Sequence, residues 1–225
     1  MLRMILTLVI GYLLGSISTG VLLSRLVKNS DIRSHGSGNS GTTNMLRVHG
    51  RAMALSTFVG DILKGIIAVF VGKALVGGTL GGLLGVAGAV LGHSYPIFFG
   101  FKGGKGIATS FGALLFVFPW QALTAFCVFL LIVFFTHYVS AGSIAAAVTF
   151  PLLVVLSTPY DPLIWGLSIL IGGFVIYRHR GNIVRLVQHR ESRLDFSSLT
   201  GKKKYRTARR PVFCRGARFM YGWLE

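Results

Sequence analysis

Seven stretches almost free of charge leave this chain few ways to fold. Residues 4–23, 52–72, 74–92, 106–118, 119–136, 139–157 and 162–177 are apolar, and only the fourth falls well short of twenty residues. The hydrocarbon core of a bilayer is about 30 Å thick and takes ~20 residues of helix to cross. No water is present there to bind free N–H and C=O groups, so a spanning segment must satisfy its own backbone. The expected fold class is an all-α polytopic membrane protein with seven transmembrane helices. Only 13% of the chain is charged and its mean hydropathy is +0.68, against about 25% charged residues in soluble domains. One membrane domain is expected over residues 1–190, followed by a basic cytoplasmic tail over 191–225. The first run is longer than a secretory signal core and further spans follow it, so it reads as a retained helix.

The net charge is +17, and its placement sets the orientation, because lysine and arginine favour the cytoplasmic side. With the N-terminus outside, the exterior holds only Arg3 and Lys73. Every other lysine and arginine except Lys64 then lies in the cytoplasm, and so does the C-terminus. The polar segments 24–51 and 92–106 and the tail share one face, joined by the short corner 137–143. Basic residues that flank apolar helices point to anionic lipid and phosphate as partners, and not to nucleic acid. The fourth run holds thirteen residues, roughly 20 Å at 1.5 Å per residue. It cannot cross alone unless the KGGKG segment before it lies below the membrane surface. Irregular backbone at that depth is tolerated where protein or water covers it. A polar pocket, open to the cytoplasm and cut into the bilayer, is the expectation.

GSGNSGTTNMLR, residues 36–47, lies in the first polar segment, which reads as a loop over 24–51. Glycines allow positive φ and close approach to a ligand. Successive N–H groups in such turns make anion-binding nests. Ser37, Asn39, Thr42, Thr43 and Asn44 add hydroxyls and amides, and Arg47 adds a planar fork suited to phosphate. GSGNSG also fits the dinucleotide pattern G-x-G-x-x-G, but that motif needs a strand before it, and a membrane run stands there instead. FKGGKG, residues 101–106, sets lysines and glycines just before a helix, whose first N–H groups attract anions. YRHRGN, residues 177–182, closes the last span. His179 can act there as base, proton shuttle or donor, and Asn182 can orient a hydroxyl. Arg178 and Arg180 read as positive-inside anchors.

Asp61 and Lys64 lie one helical turn apart inside the second span, where ionisable groups are functional candidates. They are expected to neutralise each other and to brace the loop or its arginine. His93 reads as a helix cap. Ser143, just inside the sixth span, can face the pocket, although serines also join helices in lipid. Gly77, Gly81 and Gly85 recur at every fourth residue and read as a tight packing face. The chain has six acidic residues, and only Asp31 lies near the polar motifs. No carboxylate pair, no His-x-x-x-x-Asp and no metal-ligand spacing is evident, and Cys127 and Cys214 make no disulfide framework. The site is expected to bind anions through positive charge, hydroxyls and amides, with no cofactor, no metal and no strong built-in base.

Together GSGNSGTTNMLR, GHSYPIFFGFKGGKGIAT and YRHRGNIVRL resemble, in order and spacing, the motifs of the bacterial acyl-phosphate-dependent glycerol-3-phosphate acyltransferases, the PlsY family, over about residues 8–190. The resemblance implies seven membrane helices in the bacterial cell inner membrane, N-terminus outside, with the active site facing the cytoplasm. It implies transfer of a fatty acyl group from acyl phosphate to the 1-hydroxyl of glycerol 3-phosphate, giving lysophosphatidate and phosphate for phospholipid biosynthesis. It points to Ser37, Arg47, Lys105, Ser143, His179 and Asn182 as the functional set. The loop residues Gly36, Gly38, Asn39, Gly41, Thr43 and Asn44 would hold the acyl-phosphate phosphoryl group. Arg47, Lys105 and His179 would grip glycerol phosphate, while Ser37 and Asn182 would position the attack. An acyl phosphate is already an activated anhydride, so positioning and charge stabilisation can carry much of the barrier. A monomer is expected, functionally linked to the enzyme that makes acyl phosphate.

Gly181 departs from this pattern, standing where the family would carry an acidic residue. The tail past about residue 190 exceeds the family's usual length and reads as a lipid-surface anchor. The alternative function is a membrane transporter or channel for a phosphorylated anion. Such proteins show internal repeats with paired broken helices, and no repeat relates the two halves of this chain.

Overall fold

The computed structural model describes residues 1–194. The tail expected over 191–225 therefore lies almost wholly outside the described residues, as does Cys214. Every regular element among the described residues is helical. Five segments are long and apolar enough to cross a membrane, or six if one bent helix pair counts as a span.

The first apolar run is broken. It forms α1 (Leu2–Gly15) and α2 (Thr19–Lys28), which together make one candidate span over Leu2–Lys28, covering the span expected over 4–23. Ser18 is extended, with φ −83° and ψ 92°. The Ile17 carbonyl, freed from the helical ladder, accepts from Lys64 Nζ at 2.9 Å. The polar segment is not all loop either, because its second half is α3 (Thr42–His49). The glycines before Thr42 hide the start of this helix from a reading of local propensity.

Then come α4 (Arg51–Leu75), α5 (Gly78–Ser94), α6 (Ile107–Leu114), α7 (Pro119–Thr136), α8 (Val139–Ser157), α9 (Pro162–Arg178) and α10 (Arg180–Val187). Pro119 and Pro162 open their helices at positions where the missing N–H costs nothing. Asp161 caps α9, accepting from the N–H groups of Leu163 at 2.9 Å and Ile164 at 3.1 Å. His137, at φ 62°, ends α7. The axes of α9 and α10 meet at 56°.

Helix α5 sits at the centre, and small residues let its neighbours close on it. A Cβ on Gly81 would lie 2.3 Å from the Gly72 carbonyl oxygen of α4, and one on Gly92 would lie 2.0 Å from that of Tyr12 in α1. The expected face of Gly77, Gly81 and Gly85 is corrected accordingly. Gly77 only caps the helix, at φ 92°, with open space around it. Gly81 and Gly85 face α4, while Gly88 and Gly92 face α1. Apolar residues of α4–α9, among them Leu83, Val86, Phe150, Val154 and Ile171, fill the main core. A smaller cluster of Val21, Ile32, Met45 and Met53 sits under α3.

Helix α6 has eight residues, about 12 Å of rise, so the shortfall read from the sequence is sharper than thirteen residues suggest. Its end is held by Lys73, whose Nζ donates to the Phe116 carbonyl at 2.6 Å.

Candidate active site

The glycine-rich loop is built around Asn44, which is 2% exposed. Its Oδ1 accepts from the Ser37 N–H at 2.9 Å. Its Nδ2 donates to the carbonyls of Ile32, His35 and Asn39 at 3.2, 3.0 and 2.8 Å. Asn39 Oδ1 in turn accepts from the Gly41 N–H at 2.9 Å. Gly36, at φ +59°, passes so close that a Cβ would lie 2.3 Å from Asn44 Oδ1. The loop delivers its chain to the start of α3, where the N–H groups of Thr42 and Thr43 have no carbonyl one turn back. Arg47 follows on the same helix, donating to the Ser192 carbonyl at 3.3 Å.

Lys105 precedes α6 and donates to Asn182 Oδ1 at 2.6 Å. Asn182 Nδ2 donates to Glu191 Oε1 at 2.7 Å, and that oxygen also accepts from Ser140 Oγ at 2.9 Å. Arg185 Nε binds Glu191 Oε2 at 2.7 Å. The bend between α9 and α10 makes this chain possible, by turning Asn182 back toward Lys105. Burial pushes the Lys105 ammonium down to about 8, with Arg185, Arg47 and Arg178 adding to the fall and Glu191 opposing it. Burial works to raise Glu191, but hydrogen bonds from Asn182, Arg185 and Ser140 outweigh it and hold the carboxyl below its ordinary value. His179 Nδ1 lies 2.8 Å from the Val175 carbonyl. A carbonyl can only accept, so Nδ1 carries the hydrogen and Nε2 remains as the ring's basic nitrogen.

These groups surround one cavity of about 700 Å³. Of the residues singled out in the sequence, Ser37, Asn39, Gly41, Thr43, Asn44, Arg47, Lys105, Ser143, His179 and Asn182 line it. Gly36 and Gly38 do not. They form positive-φ turns that shape the loop. Asn44 lines the cavity, but its side chain is committed to the loop's own backbone. Ser143 Oγ donates to the Val139 carbonyl at 2.8 Å, which leaves its oxygen as an acceptor.

Sequence reasoning missed Glu191 and Ser140, and it misread Arg178. Glu191 stands in the basic stretch after α10, nine residues from Asn182, where no helical spacing ties it to a motif. Arg178 also lines the cavity, and its Nη2 donates to the Gly104 carbonyl at 3.0 Å, so it is not a plain surface anchor. Asp61 and Lys64 do pair, at 2.8 Å. Their ion pair braces the α1–α2 break through the Ile17 carbonyl. His93 joins them rather than capping alone, its Nδ1 lying 2.9 Å from Lys64 Nζ.

Gly181 is exposed, and the nearest atom to a Cβ there is an Arg185 nitrogen at 3.6 Å. An acidic side chain would fit beside that guanidinium. A second, smaller cavity of about 110 Å³ runs between α6, α7, α8 and α9 and is almost wholly apolar. It shares Phe58, Ile107, Ala108 and Phe129 with the polar one. Stacked rings line it, with Phe111 and Phe126 at 4.3 Å and Phe126 and Phe129 at 5.8 Å between centroids.

A family model described as Glycerol-3-phosphate acyltransferase matches residues 5–189. The glycerol-3-phosphate acyltransferase of Thermoanaerobacter sp. (strain X514) is 43% identical over 196 residues, covering 84% of this chain and 95% of that protein. That of Geobacter sulfurreducens is 44% identical over 194 residues, covering 86% and 98%. A crystal structure of PlsY (YgiH), an integral membrane glycerol 3-phosphate acyltransferase, in its glycerol 3-phosphate form aligns with a TM-score of 0.80 at 38% identity, over 88% of this chain and 99% of that one. Its lysophosphatidic acid form aligns with a TM-score of 0.76 at 36% identity, over 88% and 98%. Matches of this extent make the chain an integral membrane acyltransferase of the glycerol-3-phosphate acyltransferase family.

Proposed function

We propose that this protein transfers a fatty acyl group from acyl phosphate to the 1-hydroxyl of glycerol 3-phosphate at the cytoplasmic face of a bacterial inner membrane. The observation that carries the reading is the junction of the two cavities. A cationic pocket fit for phosphorylated groups opens onto an apolar groove through Phe58, Ile107, Ala108 and Phe129. An acyl phosphate has both characters in one molecule.

In this reading the acyl chain lies along the stacked rings of α6 and α7, and its phosphoryl group meets Asn39, Gly41 and Thr43 at the start of α3. Arg47 and Lys105 hold the phosphate of glycerol 3-phosphate, and His179 Nε2 and Ser143 Oγ accept from its glycerol hydroxyls. Ser37 and Asn182 orient the attack. The 1-hydroxyl oxygen forms the new ester bond to the acyl carbon. The bond from that carbon to the phosphoryl oxygen breaks, and phosphate leaves. The hydroxyl proton passes to the phosphate of glycerol 3-phosphate itself, so no carboxylate base is required. Glu191, saturated by donors, serves to hold Asn182. Fixed cations that meet the charge developing on the leaving phosphate supply the electrostatic stabilisation. The enzyme works as a monomer, served by the enzyme that makes acyl phosphate.

The test is phosphate release by the purified protein given palmitoyl phosphate, with and without glycerol 3-phosphate. Release that needs glycerol 3-phosphate, together with no transfer from palmitoyl coenzyme A or acyl carrier protein, is expected. Transfer from a thioester alone would overturn the choice of donor. Arg47→Ala and Lys105→Ala are each expected to lower kcat/KM for glycerol 3-phosphate by about tenfold or more, as loss of a charged hydrogen bond does. Near-normal activity in both would sink the site assignment.

A further inference from the structure

Gly104, the residue before Lys105, is gripped from two sides, by the backbone carbonyl and ring of His93 and by the Arg178 side chain, groups that the proposed chemistry does not use. Its N–H donates to the His93 carbonyl at 3.0 Å. It packs so tightly on the His93 ring that a Cβ would lie 2.0 Å from Nε2. Its own carbonyl accepts from Arg178 Nη2 at 3.0 Å.

Both gripping residues are themselves held. His93 is 4% exposed, and its Nδ1 lies 2.9 Å from Lys64 Nζ. An ammonium can only donate, so Nδ1 accepts. Arg178 lays its guanidinium over the Tyr95 ring, 4.6 Å from the centroid. The Tyr95 carbonyl in turn accepts from the Tyr12 hydroxyl of α1 at 2.8 Å.

We propose that His93 and Arg178 are positioning residues that aim Lys105 into the cavity by fixing Gly104. The inference rests on the reading of Lys105 as a ligand of glycerol 3-phosphate. A lysine is a point charge on a flexible stem, and a glycine-rich backbone before it is looser still. Unless that backbone is fixed beforehand, ordering it on binding is subtracted from substrate affinity. The effect therefore falls on the KM for glycerol 3-phosphate, with the kcat at saturation little changed. Arginine is needed at 178 because only a planar fork can lie on Tyr95 and reach the Gly104 carbonyl together. Charge alone does not do this.

The experiment measures KM and kcat for glycerol 3-phosphate at saturating palmitoyl phosphate in Arg178→Lys, Arg178→Gln, His93→Ala, Lys105→Ala and the double variant Arg178→Gln/Lys105→Ala. Both Arg178 variants are expected to raise KM about tenfold, and lysine should not rescue. With Lys105 already removed, Arg178→Gln should add nothing, since residues acting through one another are not additive. A KM that multiplies in the double variant would mean that Arg178 meets the substrate itself, and would overturn the proposal. So would a lowered melting temperature in detergent with KM unchanged, the mark of a purely structural role. An unchanged KM in Lys105→Ala would instead overturn the reading of Lys105 on which the proposal rests. His93→Ala keeps the carbonyl that accepts from Gly104 and removes only the ring packed on it, so it should raise KM less than the arginine variants; if stranding Lys64 prevents its folding, the Arg178 series decides alone.

Discussion

Lys105 is an ammonium kept among cations by what it can reach. Burial pushes it down to about 8, against roughly 10.4 for a free lysine, so it still carries its charge near pH 7. Raising the pH through about 8 removes that charge from the empty site. The KM for glycerol 3-phosphate is therefore expected to rise between pH 7 and 9, while Lys105→Arg, charged throughout, flattens the profile. Stability moves the other way. A lysine depressed in the fold binds fewer protons there than in the unfolded chain, so linkage makes the empty protein more stable as pH climbs from about 8 toward the ordinary 10.5. Parallel measurements of KM and melting temperature against pH check both signs. A KM that rises only above pH 10 would show that Lys105 is not perturbed.

At the level of elements, the interruption between α1 and α2, inside the one candidate span Leu2–Lys28, is held by a buried ion pair. The break exposes the Ile17 carbonyl, and Lys64 covers it from α4 while paired with Asp61. Both ions are buried, at 5% and 2% exposure. Removing one member of such a pair leaves an uncompensated buried charge, costing about 3–5 kcal/mol. Lys64→Met is therefore expected to be less stable than Asp61→Asn/Lys64→Met, as melting temperatures in detergent would show. The reverse order would remove Asp61 from the account. This device was only half legible in the sequence. Two ions one turn apart in an apolar run announced a pair, but nothing local said that a carbonyl on α1 was the third partner. Both ends of α7 and the start of α8 were legible because Pro119 and the polar corner after Thr136 mark them. Helix α3 was not, since glycines and threonines favour turns in isolation, and burial of Met45 and Asn44 is what makes the segment helical. Glu191 lay hidden for a related reason. Only the turn after α10, where His189 takes φ 54°, brings it back to Asn182.

At the scale of the whole molecule, the cavity exists because the chain does not fill the bilayer evenly. Helix α6 supplies about 12 Å of a ~30 Å crossing, and the gap before it holds Gly103, Gly104 and Lys105. In the proposed function, that gap would let a water-soluble phosphorylated molecule approach an apolar groove without either leaving its own solvent. The proposal of seven crossings turns on whether the chain passes through the membrane at α6 despite its length. Lys102 and Trp120 flank this segment and both are exposed, Trp120 at 77%. With Cys127 and Cys214 replaced by serine, Lys102→Cys and Trp120→Cys are expected to react with a membrane-impermeant maleimide from opposite sides. Lys102→Cys should react only after cells are opened, and Trp120→Cys in intact ones. Gly181→Cys, where the backbone leaves room for a side chain, should behave like Lys102→Cys. Should Lys102→Cys and Trp120→Cys react from the same side, α6 would be a re-entrant segment. The crossings would then number six, and the two ends of the chain would lie on one side of the membrane.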